Sequence, residues 1–441
     1  MGKIKYGEGV IKINTIKIIP STLHGKISVP SSKSLCHRAI IAAGLASENC
    51  NIDNVVFCDD IIATCNAMKN IGVLVTESKN SVIIKENNFL NKNKIKNEID
   101  CLESGSTLRF LIPIVLLTGE QFTFTGRGRL TERPLTPYYK IFEEQNIRYN
   151  STRGLPLTVQ GKLMAGEYKI PGNISSQFIT GLLFVLPLLA GDSKIIVTTE
   201  LESKGYVDLT IDILSKFSVQ IENLGYKEFH IKGNQKYKAR NYRVEGDFSQ
   251  AAFWLVAGIL GKEIQCEDMN VNSLQGDRVI IDFIRKMGGN ISIEQGEIKT
   301  KKSKTEGITI DAANCPDLVP ILAVLASLSY GTTKIINAGR LRIKECDRLK
   351  AMATELTKLG GDVVETEDGL IIRGKENLTG GTVDSYNDHR IAMALSVASI
   401  RCIQPVILTN SDCVKKSYPE FYSDFVMLGG KINEWSLGKK S

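Results

Sequence analysis

The sequence predicts an α/β fold built from six copies of one unit, divided into two sets of three. Three observations carry this expectation. Six times an amphipathic helical run ends on a small residue that leads into a short apolar segment, at Gly72, Asn146, Ser218, Gly288, Gly360 and Gly429, at intervals of 74, 72, 70, 72 and 69 residues. Spacing that even is the mark of a repeat rather than of chance glycine usage. Short strand-like runs bounded by Gly, Asn or Asp alternate with the helices, which argues for α/β over all-α. Finally, 441 residues with 43% hydrophobic content are enough for two or three full cores, and six units do not fit one.

The elements follow in order. The amphipathic runs span residues 61–71, 138–145, 207–217, 279–287, 349–359 and 421–428, and strands are expected at 73–75, 219–221 and 362–364. Residues 362–365 and 370–373 read as a hairpin over a turn containing Asp368-Gly369, and 229–231 as a strand stopped by Lys232-Gly233-Asn234. A second, more apolar set of helices opens on polar clusters. Val29 to Arg38 (VPSSKSLCHR) leads into an apolar helix at 39–45, and Glu103 to Arg109 (ESGSTLR) into one at 110–117. Gly172 to Gln177 (GNISSQ) opens a third, and Asn387-Asp388-His389-Arg390 opens a helix at 391–398. Asp277-Arg278 and Asp347-Arg348 stand 70 residues apart at starts of the amphipathic set, and residues 342–348 contain five charged side chains. An Arg-dense loop, 126–134, precedes the second unit's helix.

Free backbone N–H groups and the dipole make a helix start attractive to anions. Taken alone, the first cluster is equally a Ser-capped helix start with solvated charges, and the Asp-Arg pairs and residues 387–390 read rather as surface ion pairs at helix N-termini. Their recurrence from unit to unit points instead to one shared anionic site.

The net charge is +7, with 55 Lys and Arg against 48 Asp and Glu. Such an excess suits nucleic acid or anionic small substrates. Because the cations gather at helix starts and form no stripe interleaved with aromatics, nucleic acid is disfavoured. The Lys-rich stretches 91–96 and 299–304 read as solvated loops. Ten Cys without a C-x-x-C pair read as reduced, mostly buried thiols of a cytosolic protein. Residues 1–6 carry no apolar signal core, and the longest apolar stretch, 181–190, contains Pro187 and is too short for a bilayer. A soluble, cytoplasmic protein is expected. There is no Walker loop, Gly-x-Ser-x-Gly elbow or metal-spaced His pair, and only four His, so nucleotide hydrolysis, serine-nucleophile and metal chemistry all lose ground.

Nine segments in order, 30–38, 103–109, 129–134, 172–178, 203–206, 244–247, 272–277, 344–348 and 387–390, resemble the 5-enolpyruvylshikimate-3-phosphate synthase family, and the resemblance runs from about Ile18 to Pro419. It implies transfer of the enolpyruvyl group of phosphoenolpyruvate to the 5-hydroxyl of shikimate 3-phosphate, with release of phosphate, on the route to aromatic amino acids. The implied fold is an inside-out α/β barrel: two globular domains, each of three βαβαββ units, closing on the substrates. One domain would be residues 32–242, and the other 1–31 together with 243–441. The resemblance implies no cofactor and no metal, no nucleic-acid or membrane partner, and a monomer.

Carried over residue by residue, Lys33, Ser34 and Arg38 resemble ligands of shikimate 3-phosphate, with Lys33 reaching phosphoenolpyruvate as well. Ser175, Ser176, Gln177 and Ser203 resemble the cluster around the shikimate phosphate and ring, Gln177 being shared by both substrates. Gly105, Arg129, Arg348, Arg390 and Lys416 resemble the phosphoenolpyruvate site. Asp317 and Lys344 resemble the residues on the shikimate hydroxyls, with Asp317 the candidate base. Glu345, helped by Lys33, resembles the carboxyl group that moves the second proton. Glu103, Phe110 and Arg340 depart from the family's frequent Asn, Pro and Asn, and Arg340 is not counted as a ligand. Gly105 would keep room for phosphoenolpyruvate and for glyphosate, its competitor in the family. A related family acting on UDP-N-acetylglucosamine carries a Lys-Asn pair near its start and a loop Cys as acid. Here the pair is Lys33-Ser34, and no Cys lies in the loop 127–134, which disfavours that alternative.

Overall fold

The computed structural model describes residues 15–46, 48–85, 96–151, 154–294 and 296–435. The N-terminal stretch 1–6 and residues 91–95 of the first Lys-rich stretch lie outside them.

The sheets form six four-stranded sets of one topology. In a representative one, strand Thr309–Asp311 runs parallel to Thr332–Ile336, which pairs antiparallel with Leu370–Arg373, itself antiparallel to Asp362–Glu365. With its two helices this unit is βαβαββ. Three sheets take a strand from elsewhere in the chain. Tyr242–Arg243 pairs parallel with Cys50–Asp53, and Gly25–Ser28 parallel with Glu263–Glu267. Thr15–Ile19 is inserted antiparallel between Val406–Thr409 and Lys431–Trp435.

Twelve α-helices occur among the described residues: α1 (Lys33–Leu45), α2 (Asp59–Asn70), α3 (Gly105–Val115), α4 (Thr136–Glu144), α5 (Ser176–Val185), α6 (Lys204–Lys216), α7 (Phe248–Leu260), α8 (Ile280–Lys286), α9 (Val319–Ser327), α10 (Arg348–Lys358), α11 (His389–Ala398) and α12 (Phe421–Met427). The odd-numbered six are buried along most of their length, every residue of α7 and α9 included. A helix that is apolar all round can be stable only inside a core. The even-numbered helices bury one face. Helices therefore lie inside and sheets outside, around two separate cores. One joins Leu35 to Val244, and the other joins Ile18–Val29 to Phe248–Leu428.

The six repeat markers share one backbone device. Each has positive φ, from 55° at Asn146 to 99° at Gly429. The residue after each marker donates its N–H to a carbonyl five positions back, as in Val73 to Met68 at 3.0 Å and Gly361 to Leu356 at 2.8 Å. This is the Schellman closure, in which a left-handed residue turns the chain out of the helix and satisfies its last carbonyls. It also explains a difference from the sequence reading. The N–H groups of Val73 and Val219 are used by the cap, so pairing starts later, at Val75–Glu77 and Glu222–Leu224.

Two further expectations need correction. α1 and α3 begin at Lys33 and Gly105, several residues before their apolar runs, so the polar clusters form the first helical turns. Lys299 and Lys301 belong to a strand, Glu297–Lys301, and not to a loop. Ile298 and Thr300 point into the protein while the two lysines pair with Glu263 on the outer face at 2.8 and 3.3 Å, as a period of two requires. All ten Cys are buried and unpaired. Among the described residues no helix is long and apolar enough to cross a membrane.

Candidate active site

The inner helices present their N-termini to one cleft between the two cores, and the two sides are capped differently. α1, α3 and α5 follow Ser32, Ser104 and Ser175, whereas α7 and α11 follow Asp247 and Asp388. Asp247 accepts from Ser249 N at 2.8 Å, and Asp388 from Arg390 N at 2.9 Å. A carboxylate cap neutralises the positive helix end, while a serine cap leaves its field available. Asp247 also accepts from Lys33 N at the start of α1, at 3.0 Å, so backbone attraction for an added anion is concentrated at the serine-capped starts of α3 and α5.

The cavity at these helix starts is about 100 Å³ and is lined by eight cationic side chains, Lys33, Arg38, Arg109, Arg133, Arg340, Lys344, Arg348 and Arg390, against three carboxylates, Asp60, Asp317 and Glu345. The carboxylates are engaged by the cations. Arg348, 1% exposed, contacts Asp317 at 2.8 Å, Glu345 at 2.8 Å and the fully buried Asp388 at 2.7 Å. Asp317 also meets Arg390 at 3.1 Å and Lys344 at 3.6 Å, and Arg133 reaches Glu345 at 3.0 Å. Lys33 pairs with Asp60 at 2.6 Å. Burial would raise the Asp317 and Glu345 carboxyls. Their cations outweigh it, Arg390 and Lys344 at Asp317 and Arg133 and Arg348 at Glu345, and hold both well below the usual range. Lys344 is lowered by burial, and His389 is held neutral by burial and by Lys33 and Arg390. For Lys33, burial is outweighed by Asp60 and the ammonium is favoured.

The sequence model described as EPSP synthase (3-phosphoshikimate 1-carboxyvinyltransferase) matches residues 18–425. The chain belongs to the EPSP synthase family. It is 61% identical to the 3-phosphoshikimate 1-carboxyvinyltransferase of Clostridium novyi, covering 97% of this chain and all of that one, and 57% identical to that of Clostridium acetobutylicum with the same coverage. An EPSP synthase structure from Acinetobacter baumannii superposes with a TM-score of 0.79 at 25% identity, over 96% of this chain and 100% of that one. As a member of this family the protein is a transferase.

Thirteen of the fifteen residues the EPSP synthase resemblance implicated line the cavity: Lys33, Ser34, Arg38, Gly105, Ser175, Ser176, Gln177, Ser203, Asp317, Lys344, Glu345, Arg348 and Arg390. The other two do not. Arg129 lies exposed on the short 3₁₀ turn Gly128–Glu132 and donates to the Arg342 carbonyl across the cleft mouth at 3.4 Å. Lys416 is tied to Glu103 at 2.7 Å and to the Asn387 carbonyl at 2.6 Å. Arg38 spends its donors on Thr210, the Ser34 carbonyl and the Tyr206 carbonyl, so it braces the wall of the cavity.

The sequence reading missed six titratable lining groups. Arg133 is buried because the same 3₁₀ turn that exposes Arg129 rotates it inward. Arg109 donates to Gln177 Oε1 at 2.7 Å, and Gln177 donates on to Ser106 at 3.0 Å, which fixes the amide. Arg340 donates to Ser203 Oγ at 2.8 Å and pairs with Glu202, joining the two sides. Asp60, Tyr206 and His389 complete the set. The available signal was position: Arg109, Arg133, Tyr206 and His389 all fell inside polar clusters already singled out.

Proposed function

We propose that the cleft transfers the enolpyruvyl group of phosphoenolpyruvate to the 5-hydroxyl of shikimate 3-phosphate, with the reaction divided among its residues as follows. The observation that carries this reading is the charge balance of eight cations against three carboxylates, an excess of five. Each substrate bears one carboxylate and one phosphate of about −1.5 to −2 charge, so the pair brings about −5 to −6. Arg forks and serine-capped helix starts can hold such anions in contact in a low-dielectric site.

On this reading, shikimate 3-phosphate takes the side of Ser34, Ser175, Ser176 and Ser203, with Lys33 and Gln177 facing both substrates and Arg38 bracing the wall. Phosphoenolpyruvate takes the side of Gly105, Arg348 and Arg390, and closure brings in Arg129 and Lys416. Asp317, held ionised, accepts the 5-hydroxyl proton as the oxygen attacks the central enol carbon. Glu345 supplies a proton to the methylene carbon, giving a tetrahedral intermediate. It then takes a methyl proton back as phosphate leaves. The substrate carboxylate entering at Arg348 and Arg390 replaces Asp317 and Glu345 as their counter-ion, which lets Glu345 acquire the proton it must deliver.

The domain division that fits is 32–242 against 1–31 with 243–441, in a cytoplasmic monomer. The deciding experiment is phosphate release from phosphoenolpyruvate dependent on shikimate 3-phosphate. Release with UDP-N-acetylglucosamine and none with shikimate 3-phosphate would overturn the reading.

A further inference from the structure

Tyr206, on α6 of the first core, places its hydroxyl between two aspartates of the second. It lies 3.2 Å from Asp277 Oδ2 and 3.1 Å from Asp317 Oδ2. A phenol has one hydrogen, and an ionised carboxylate only accepts. Two ionised carboxylates cannot both be satisfied by that hydroxyl, so one contact must run the other way, from a protonated carboxyl to the phenol oxygen.

The surroundings decide which aspartate carries the proton. Asp317 faces Arg348, Arg390 and Lys344 at 2.8, 3.1 and 3.6 Å. Asp277, in the turn Gly276–Val279, has no ion pair within 4.0 Å among the described residues. It is 5% exposed, and its Oδ1 has no hydrogen-bond partner among the described residues. A buried, unpaired carboxylate oxygen is costly, whereas the carbonyl oxygen of a neutral acid is a weak acceptor that tolerates the position. The charged and titratable groups around Asp277 are Asp317, Arg390, Asp247, Tyr206 and Cys315.

We infer that Asp277 is a neutral carboxylic acid that donates to Tyr206, which in turn donates to Asp317, making Asp277 a positioning residue for the base. The catalytic half of this inference rests on the function proposed above; the placement of the proton does not. Burial first, and then the Asp317 charge, push the Asp277 carboxyl up to about 7, with Arg390 pulling back. Once Asp277 ionises, two carboxylates compete for one hydrogen and Asp317 loses the phenol as a fixed donor.

Infrared difference spectra of the wild type against Asp277→Asn, with a pH titration, test the proton directly. A protonated-carboxyl stretch is expected at about pH 6, absent in Asp277→Asn and shifted in Tyr206→Phe. In turnover, Asp277→Asn keeps a neutral donor of the same shape. It should hold kcat within about three-fold near neutrality and lose the wild-type fall in kcat above about pH 7, while Asp277→Ala loses at least about ten-fold with little change in KM. No protonated-carboxyl band between about pH 5 and 8, or an Asn variant as impaired as Ala, overturns the inference. If the Asp277 variants fail to fold, the wild-type and Tyr206→Phe spectra decide it alone. A band without shikimate 3-phosphate-dependent phosphate release overturns the catalytic role and the functional reading, and leaves the proton on Asp277.

Discussion

Arg348→Met isolates the stability of the charge network from its chemistry. The guanidinium is 1% exposed and contacts three carboxylates, which do not lose equally when it is removed. Asp317 keeps Arg390 and Lys344, and Glu345 keeps Arg133. Asp388 is fully buried and, among the described residues, its carboxylate keeps only the Arg390 N–H and the Cys346 thiol. The cost is therefore close to that of one broken buried pair, about 3–5 kcal/mol, with Asp388 as the uncompensated charge. At about 2–4 °C per kcal/mol for cores of this size, Tm should fall by roughly 6–20 °C. Thermal melts of Arg348→Met, Asp388→Asn and the double variant measure it, and the double variant should recover at least about 1 kcal/mol of the single Arg348→Met loss. A loss below about 1 kcal/mol, or a strictly additive cycle, would refute the assignment of Asp388 as the charge that Arg348 compensates.

Glu345→Gln should cut kcat at least about 100-fold while shikimate 3-phosphate affinity stays within about three-fold; equal losses would make Glu345 a binding group instead. In Gly105→Ala the new Cβ would stand 2.9 Å from Arg133 Nη1 and 3.2 Å from Arg109 Nη1, so a guanidinium must move. Steady-state kinetics should show KM for phosphoenolpyruvate raised roughly ten-fold, and an unchanged KM would exclude that wall as its site. Asp317 and Glu345 have folded pKa values below their unfolded ones, so their stabilisation is complete above about pH 4.5 and is lost as the pH falls through the depressed values. Melts across that acid range should fall for the wild type and fall less for Arg348→Met; parallel curves would show that Arg348 is not what depresses them. Glu103→Gln releases Lys416 from its carboxylate, and KM for phosphoenolpyruvate should drop a few-fold, whereas a higher KM would mean that Glu103 orients Lys416 for the substrate.

The repeat was legible because the second helix of each unit ends on the same backbone device, and that device constrains residue choice. Gly72, Gly288, Gly360 and Gly429 all sit at positive φ, and Asn146 and Ser218 were found through the interval, since their side chains alone would not announce a left-handed residue. Helix starts were less legible. Hydrophobic periodicity marks where a helix becomes buried, and α1 and α3 enter their first turns through Lys33-Ser34 and Gly105-Ser106, which carry no apolar stripe. Of the site, clusters were visible but facing was not. Arg129 and Arg133 stand four apart in one segment, and only the 3₁₀ turn decides that the second is buried. Asp277 was seen as a recurrent Asp-Arg pair with Asp347, yet the two have opposite fates. Asp347 caps α10 by accepting from Lys350 N at 3.1 Å, and Asp277 turns inward to Tyr206.

That divergence bears on how an open anion site stays folded without its ligands. Eight cations close together would repel one another strongly in a low-dielectric cleft. Asp317 and Glu345 lie where they neutralise Arg348, Arg390 and Arg133, and on the function proposed above each also exchanges a proton with a substrate. On the function proposed above, the substrates' own anions displace these carboxylates from the cations, and that displacement changes their proton affinity. Replacing Asp317 or Glu345 by a neutral isostere should consequently leave cations unpaired in the empty enzyme. Such variants should gain stability on adding inorganic phosphate or phosphoenolpyruvate by more than the wild type does, because the ligand restores a charge the protein no longer supplies. Equal ligand-induced shifts in Tm would show that the substrates bind beside these pairs rather than in exchange for them.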